Sequence, residues 1–151
     1  MRAPPLAALF RDGAAGLPPP EPLDFATLVL PRSPNACLAA PPGAHPGAQV
    51  AVPPLPVDIA TAWPVLRSLG ERFPRTTLLA AWPERHQVQW VQRSALLRFP
   101  DIVAAELRPA GATAELFLYS HSLFGWSDFG VNRRRVEAWL AALEAALPGR
   151  R

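Results

Sequence analysis

With 151 residues, half of them apolar and 18% charged, the chain is long enough to bury one core and too apolar to be disordered throughout. All fifteen positive residues are arginine, whose forks suit carboxylates and phosphates, but a formal net charge of only +3 over this length argues against a nucleic-acid surface. One cysteine, Cys37, excludes an intrachain disulfide and a cysteine-built zinc site.

Fourteen of the twenty prolines fall in residues 1–56, so composition divides the chain near Pro56. Residues 1–22 read as a flexible proline-rich arm. Residues 23–151 read as a single domain. Its first part, residues 23–56, is expected to lie extended across the body through Leu23, Phe25, Leu28, Val29, Leu30, Leu38, Val50 and Val52. The apolar stretch Leu6–Phe10 is too short for a secretory signal core. The longest stretch without charge, Ser33 to Val57, is broken by seven prolines and cannot form a spanning helix. With no membrane segment in view, the default expectation is a soluble cytoplasmic chain.

From Val57 the pattern is regular. Asp58 is placed to cap a helix carrying Ile59, Ala62, Trp63, Leu66, Leu69 and Phe73, kinked at Pro64 and closed by Pro74. Four strands follow: Thr76–Trp82, Val88–Arg98, Ile102–Arg108 and Ala114–Ser122. Their short connections predict antiparallel neighbours. On the last strand, Ala114, Leu116, Leu118, Ser120 and Ser122 share one face, and Glu115, Phe117, Tyr119 and His121 share the other. Asn132 is read as the cap of a final helix with Val136, Trp139, Leu140, Leu143 and Leu147 on one stripe. Pro148-Gly149 ends that helix, and Arg150 and Arg151 complement its dipole. The predicted fold is α+β with two layers: a four-stranded antiparallel sheet, a kinked N-terminal helix and a C-terminal helix, preceded by the proline-rich arm. The face bearing Phe117 and Tyr119 needs a cover, either the arm or a second copy of the chain.

The densest polar stretch is Ser120 to Leu140, SHSLFGWSDFGVNRRRVEAWL. It resembles the signature of the domain-of-unknown-function family 1499 of small bacterial and plastid proteins, S-R-S-R-x-G-x-S-D-x-G-x-N-R-x-R-V. Ser120, Ser122, Gly125, Ser127, Asp128, Gly130, Asn132, Arg133, Arg135 and Val136 match it, while His121 and Leu123 stand where arginines are usual. SPNACLAAP, from Ser33, is similar to the family's S-P-N element, and LLRFPDIVAAEL, from Leu96, to its F-x-D element. The resemblance spans about residues 24–147 and implies a fold and a motif, but no reaction. It also implies a possible envelope association, since many relatives carry a membrane segment or lipid anchor.

No catalytic residues emerge. Ser120, His121 and Asp128 have the residue types of a triad, but strand alternation turns His121 away from both serines. His45, His86, His121 and Cys37 lack metal-ligand spacing, and no phosphate-binding glycine loop is present, so no metal or cofactor is expected. The three arginines at a helix start are the anomaly. Each opposes the dipole by about 0.3–1 kcal/mol unless an anion compensates. Externally, Arg133 and Arg135 with Asn132 and Ser127 would seat a phosphate or carboxylate. Internally, Asp128 would fold back onto Arg133 or Arg135, within a clasp that includes Ser120, Ser122, Gly125 and Gly130. The internal account is preferred, because Asp128 supplies an anion inside the motif; Arg134 is then a solvated bystander. Trp126 is either a packing plug or a ligand contact. Two functions remain: a non-enzymatic binding or interaction module, or an enzyme or carrier for an anionic ligand. The partners in view are an anionic small molecule or a second copy docked on the uncovered sheet face.

Overall fold

The computed structural model describes residues 10–125 and 127–148. Trp126, Gly149, Arg150, Arg151 and the first nine residues of the arm, with the readings attached to them, lie outside the described residues.

The domain is α+β, with two α-helices on a six-stranded mixed sheet. The strands are β1 (Ala36–Ala40), β2 (Val50–Ala51), β3 (Thr76–Trp82), β4 (Gln87–Arg93), β5 (Pro100–Ala110) and β6 (Thr113–Ser122), in the order β2-β1-β6-β5-β4-β3. The expectation of four antiparallel strands is therefore corrected. The two additional strands come from the proline-rich segment. Ala36–Ala40 is a proline-free stretch that pairs antiparallel with β6, from Ala36 opposite His121 to Ala39 opposite Leu118. Without it β6 would be an open edge with unpaired backbone groups. β2 then adds parallel to β1, with Ala39 opposite Val50, and Pro53 follows shortly after it. The β4 strand stops at Arg93 rather than Arg98. There the chain turns: Ser94 N–H donates to Phe99 O at 3.0 Å, and Ser94 Oγ accepts from Phe99 N–H at 2.9 Å.

The first helix, α1 (Ile59–Arg67), starts as expected, with the Asp58 carboxylate accepting from Thr61 N–H at 2.9 Å. It ends at Arg67 and not at Phe73. Pro64 removes one helical donor, and Ser68 Oγ turns back onto the carbonyls of Pro64 and Val65. The chain continues as a tight 3-10 turn over Leu69–Arg72. Gly70 in that turn lies against Trp90, and a Cβ there would sit 2.5 Å from the indole.

Strand alternation divides the sheet into two faces. Val88, Trp90, Val103, Ala105, Leu107, Leu116 and Leu118 meet α1 and the second helix, α2 (Val131–Ala146), which contributes Val136, Trp139 and Leu143. Trp139 stacks on Phe73 at 4.6 Å and meets Trp90 edge-on at 4.9 Å. On the other face Phe117, Tyr119, Ala104 and Leu38 are buried beneath Phe25, with Leu23, Leu28 and Leu30 packed around them. The proline-rich segment thus covers this part of the sheet, as the first of the two expected covers would; the alternative, an uncovered face awaiting a second copy, is corrected because the face is occupied. No helix among the described residues is long and apolar enough to cross a membrane.

Candidate functional site: a buried polar clasp

The corner between β6 and α2 carries most of the polar residues selected from the sequence. Gly130 takes the left-handed conformation, with φ of 83°, and turns the chain into α2. Asp128 lies just before it. One carboxylate oxygen accepts from Gly130 N–H at 2.7 Å; the other accepts from Asn132 N–H at 3.0 Å and Asn132 Nδ2 at 2.7 Å. Asp128 therefore satisfies the orphan donors of the helix start, the task assigned to Asn132. Asn132 lies inside the first turn and is fully buried. Its amide reaches Asn35 O at 2.9 Å and Ser122 Oγ at 2.8 Å, and its carbonyl accepts from Ser120 Oγ and from Arg135 Nη1.

Arg135 is held by a different carboxylate from the one expected. Its Nη1 lies 2.7 Å from Asp101 Oδ2, with both side chains nearly buried, and its Nε donates to Gln92 Oε1 at 2.8 Å. Trp139 Nε1 donates to the same Gln92 oxygen at 3.2 Å. Among the described residues no ion pair joins Asp128 to Arg133 or Arg135. The reason is geometric. Asp128 spends its oxygens on the helix start, whereas Asp101 on β5 stands opposite Ser122 and faces the second turn of α2.

Three stretches distant in sequence converge here. Ser33 Oγ bonds Asn35 Oδ1, Asn35 Nδ2 donates to Gly125 O at 2.9 Å, and Asp128 N–H donates to Pro34 O at 3.3 Å. The S-P-N element, the Phe99-Pro100-Asp101 element and the C-terminal motif form one assembly. The remaining motif residues stand apart from it. Arg133 is exposed and pairs with Glu137 one turn along, at 3.1 Å. Ser127 is exposed and accepts from Phe129 N–H. His121 faces the other side of the sheet, stacked on Tyr119 at 4.8 Å. Reading the sequence missed Asp101, Asn35 and Gln92 as members of the site. Gln92 carried a usable signal, since it shares the helix-facing side of β4 with Val88 and Trp90.

Burial pushes the Asp101 carboxyl above the ordinary aspartate value, and Arg135 and Ser122 draw it only part of the way back. Asp128 goes the other way. Burial raises it, but the donors from Asn132 and Gly130 together outweigh that and hold it low. Burial lifts Tyr119 to about 12 and lowers His121. No buried side-chain nitrogen or oxygen among the described residues lacks a partner. Nor does any group of three or more His, Cys, Asp or Glu side chains among them suit a metal ion. A cavity of about 280 Å³ lies beside the clasp, lined by Phe73, Gln92, Arg134, Arg135 and Trp139 among others. Arg134, read as a bystander, borders it, and Arg133 does not.

Fold and site together define a small α+β domain whose last strand, last helix and N-terminal strand are joined by one buried polar corner. The chain belongs to the family described as Protein of unknown function (DUF1499), which matches residues 28–143. Comparison with curated proteins and with solved structures finds no match.

Proposed function

We propose that the chain is a non-enzymatic binding or interaction module, and that its Ser/Asp/Asn/Arg loop is a structural clasp. The observation that carries this reading is the closed hydrogen-bond accounting of the corner. Asp101, Ser120, Ser122, Asp128, Asn132 and Arg135 engage one another, and each is turned inward. A catalytic group must reach a substrate, and these groups are occupied within the fold. Together they tie β1 and β6 to α2 and fix both ends of the loop between β6 and the helix.

The competing reading, an enzyme or carrier with an anionic ligand, has one supporting feature: Arg134 and Arg135 both border the 280 Å³ cavity. Thermal unfolding in phosphate and in sulfate separates the two. For a clasp, wild type and Arg134→Ala gain the same protection from either anion. A ligand seat would protect wild type more, because only a ligand bound at that site adds to native-state stability.

A further inference from the structure

Eight large apolar side chains are exposed among the described residues, and six of them gather on or beside two loops at one end of the sheet. Leu96, Leu97 and Phe99 belong to the turn from β4 to β5. Leu123, Phe129 and Val131 belong to the passage from β6 into α2. The loops are neighbours: Leu123 N–H donates to Pro100 O, and the Phe10 ring contacts both Phe99 and Phe124 at 5.4 Å. Contiguous exposed apolar surface of this kind marks an interaction site.

Phe129 is the most informative of the six. It is 87% exposed and holds φ of 53°, a left-handed conformation that a bulky residue adopts only under strain. The residue is unfavourable on both counts, since glycine would relieve the backbone and a polar side chain would suit the water. A ring so exposed gains little from its own chain, so its use lies outside it. In the opposite loop the two features fall on separate residues, with Leu96 88% exposed and Arg98 at φ of 57°.

We propose that this end of the domain docks on the interfacial layer of an anionic lipid bilayer, with Phe129 and the Leu96–Leu97 pair as the inserting tips. This rests on the reading of the chain as an interaction module, with the clasp holding the base of the Phe129 loop rigid. Of the six, Val131 borders the cavity beside the clasp, while Leu96, Leu97, Phe99, Leu123 and Phe129 line neither that cavity nor the groove of about 370 Å³ between residues 51–56 and the end of α2. A fluid interface accepts such projections without matched pockets, whereas a folded partner requires them. Charge agrees with this assignment. Asp128, the one carboxylate on these loops, is turned inward onto three donors. The Phe129 tip has an arginine at its base, Arg134, which donates to Phe129 O; at the other tip Arg98 follows Leu97 but is already paired with the exposed carboxylate of Asp12, so the positive charge is carried by the Phe129 side. Arginines flanking apolar tips reach the phosphates of the headgroup layer while their stems stay with the apolar phase.

The test is co-sedimentation of the full chain with vesicles of phosphatidylglycerol and phosphatidylcholine, and with vesicles of phosphatidylcholine alone. Wild type is expected in the pellet with the anionic vesicles, and less so at high salt. Phe129→Gly is expected to bind about tenfold more weakly, as loss of one buried aromatic side chain implies. Its thermal midpoint should be unchanged or raised, which separates lost docking from lost folding. The double variant Leu96→Ser/Leu97→Ser should weaken binding in the same way. Wild type that stays in the supernatant, or Phe129→Gly that pellets equally, overturns the proposal. So does a dimer in sedimentation velocity without lipid that Phe129→Gly disperses, since that assigns the patch to a second copy. A clasp variant, Arg135→Ala, with wild-type thermal stability would instead remove the clasp and leave the vesicle result standing.

Discussion

On one face of the sheet, Val88, Trp90, Val103 and Leu116 meet helices that satisfy their own backbones and, away from the clasp, offer apolar side chains. On the other face, Phe117 and Tyr119 meet a segment around Phe25 that has neither helix nor ladder of its own. An irregular cover leaves its carbonyls and N–H groups to be paired by something else. The sheet supplies the partners. Gln87, Gln89 and Arg93 alternate along β4 onto this face. Gln87 bonds both the N–H and the carbonyl of Leu23, Gln89 reaches Glu21 O at 2.8 Å, and Arg93 takes the carbonyls of Gly13 and Ala15. One strand thus pays for its cover in hydrogen bonds on one side and in apolar packing on the other. The difference teaches how the faces should fail. The helix face is bound by shape, and the segment face by a short series of separable bonds.

The most damaging change should be at the polar corner, where the helix face departs from pure packing. Arg135→Ala leaves Asp101 buried without its cation, a loss of about 3–5 kcal/mol. In a domain of this size, calorimetry should read that as a fall of roughly 10 °C in the midpoint. A fall under about 2 °C would mean that the pair contributes little and that the clasp reading is wrong.

A matched pair of variants tests the contrast between the faces. Gly70→Ala drives a methyl to within 2.5 Å of Trp90 and should cost about 1–3 kcal/mol across the whole domain. Gln87→Leu removes the bonds that hold Leu23 and the one to Glu106, also about 1–3 kcal/mol locally. Its midpoint should fall less than that of Gly70→Ala, because the segment can detach before the sheet and helices unfold. Amide exchange and proteolysis over residues 21–30 should accelerate in Gln87→Leu alone. Equal acceleration in both variants would show that the two faces unfold as one unit.

Much of the fold was legible because it is local. The bounds of β3, the Asp58 cap and the alternation of β6, which turns His121 away from Ser120, all follow from residues within a few positions of one another. What escaped depends on pairing at long range. Ala36–Ala40 is rich in alanine, a weak strand former, and becomes a strand because β6 offers it an edge. The candidate site divides in the same way. Its C-terminal members stand together in one motif, but the nearest anion along the chain, Asp128, is not the partner of Arg135, because strand register and not proximity in sequence selects it. Asp101, 34 residues away, is brought beside Arg135 by the pairing of β5 with β6, and no local pattern announces it.

The smallest expected effect separates the two carboxylates of the clasp. Asp128 is held below its ordinary value in the folded state, so the stability it contributes is present above that value and is lost as pH falls through the folded one. Asp101 is raised, so its contribution is fullest below the ordinary aspartate value and fades as pH rises through the folded one. Asn at position 128 cannot titrate. Between about pH 6 and pH 3, wild type should therefore lose more of its thermal midpoint than Asp128→Asn does, whatever the other carboxylates contribute in common. An Asp101→Asn variant should show the reverse sign, losing more than wild type over the same interval, because wild type regains the Asp101 contribution on acidification. Parallel pH profiles for all three proteins would mean that neither carboxylate is set apart by its surroundings. Profiles diverging in opposite directions would fix Asp128 as the charged cap of α2 and Asp101 as the desolvated partner of Arg135.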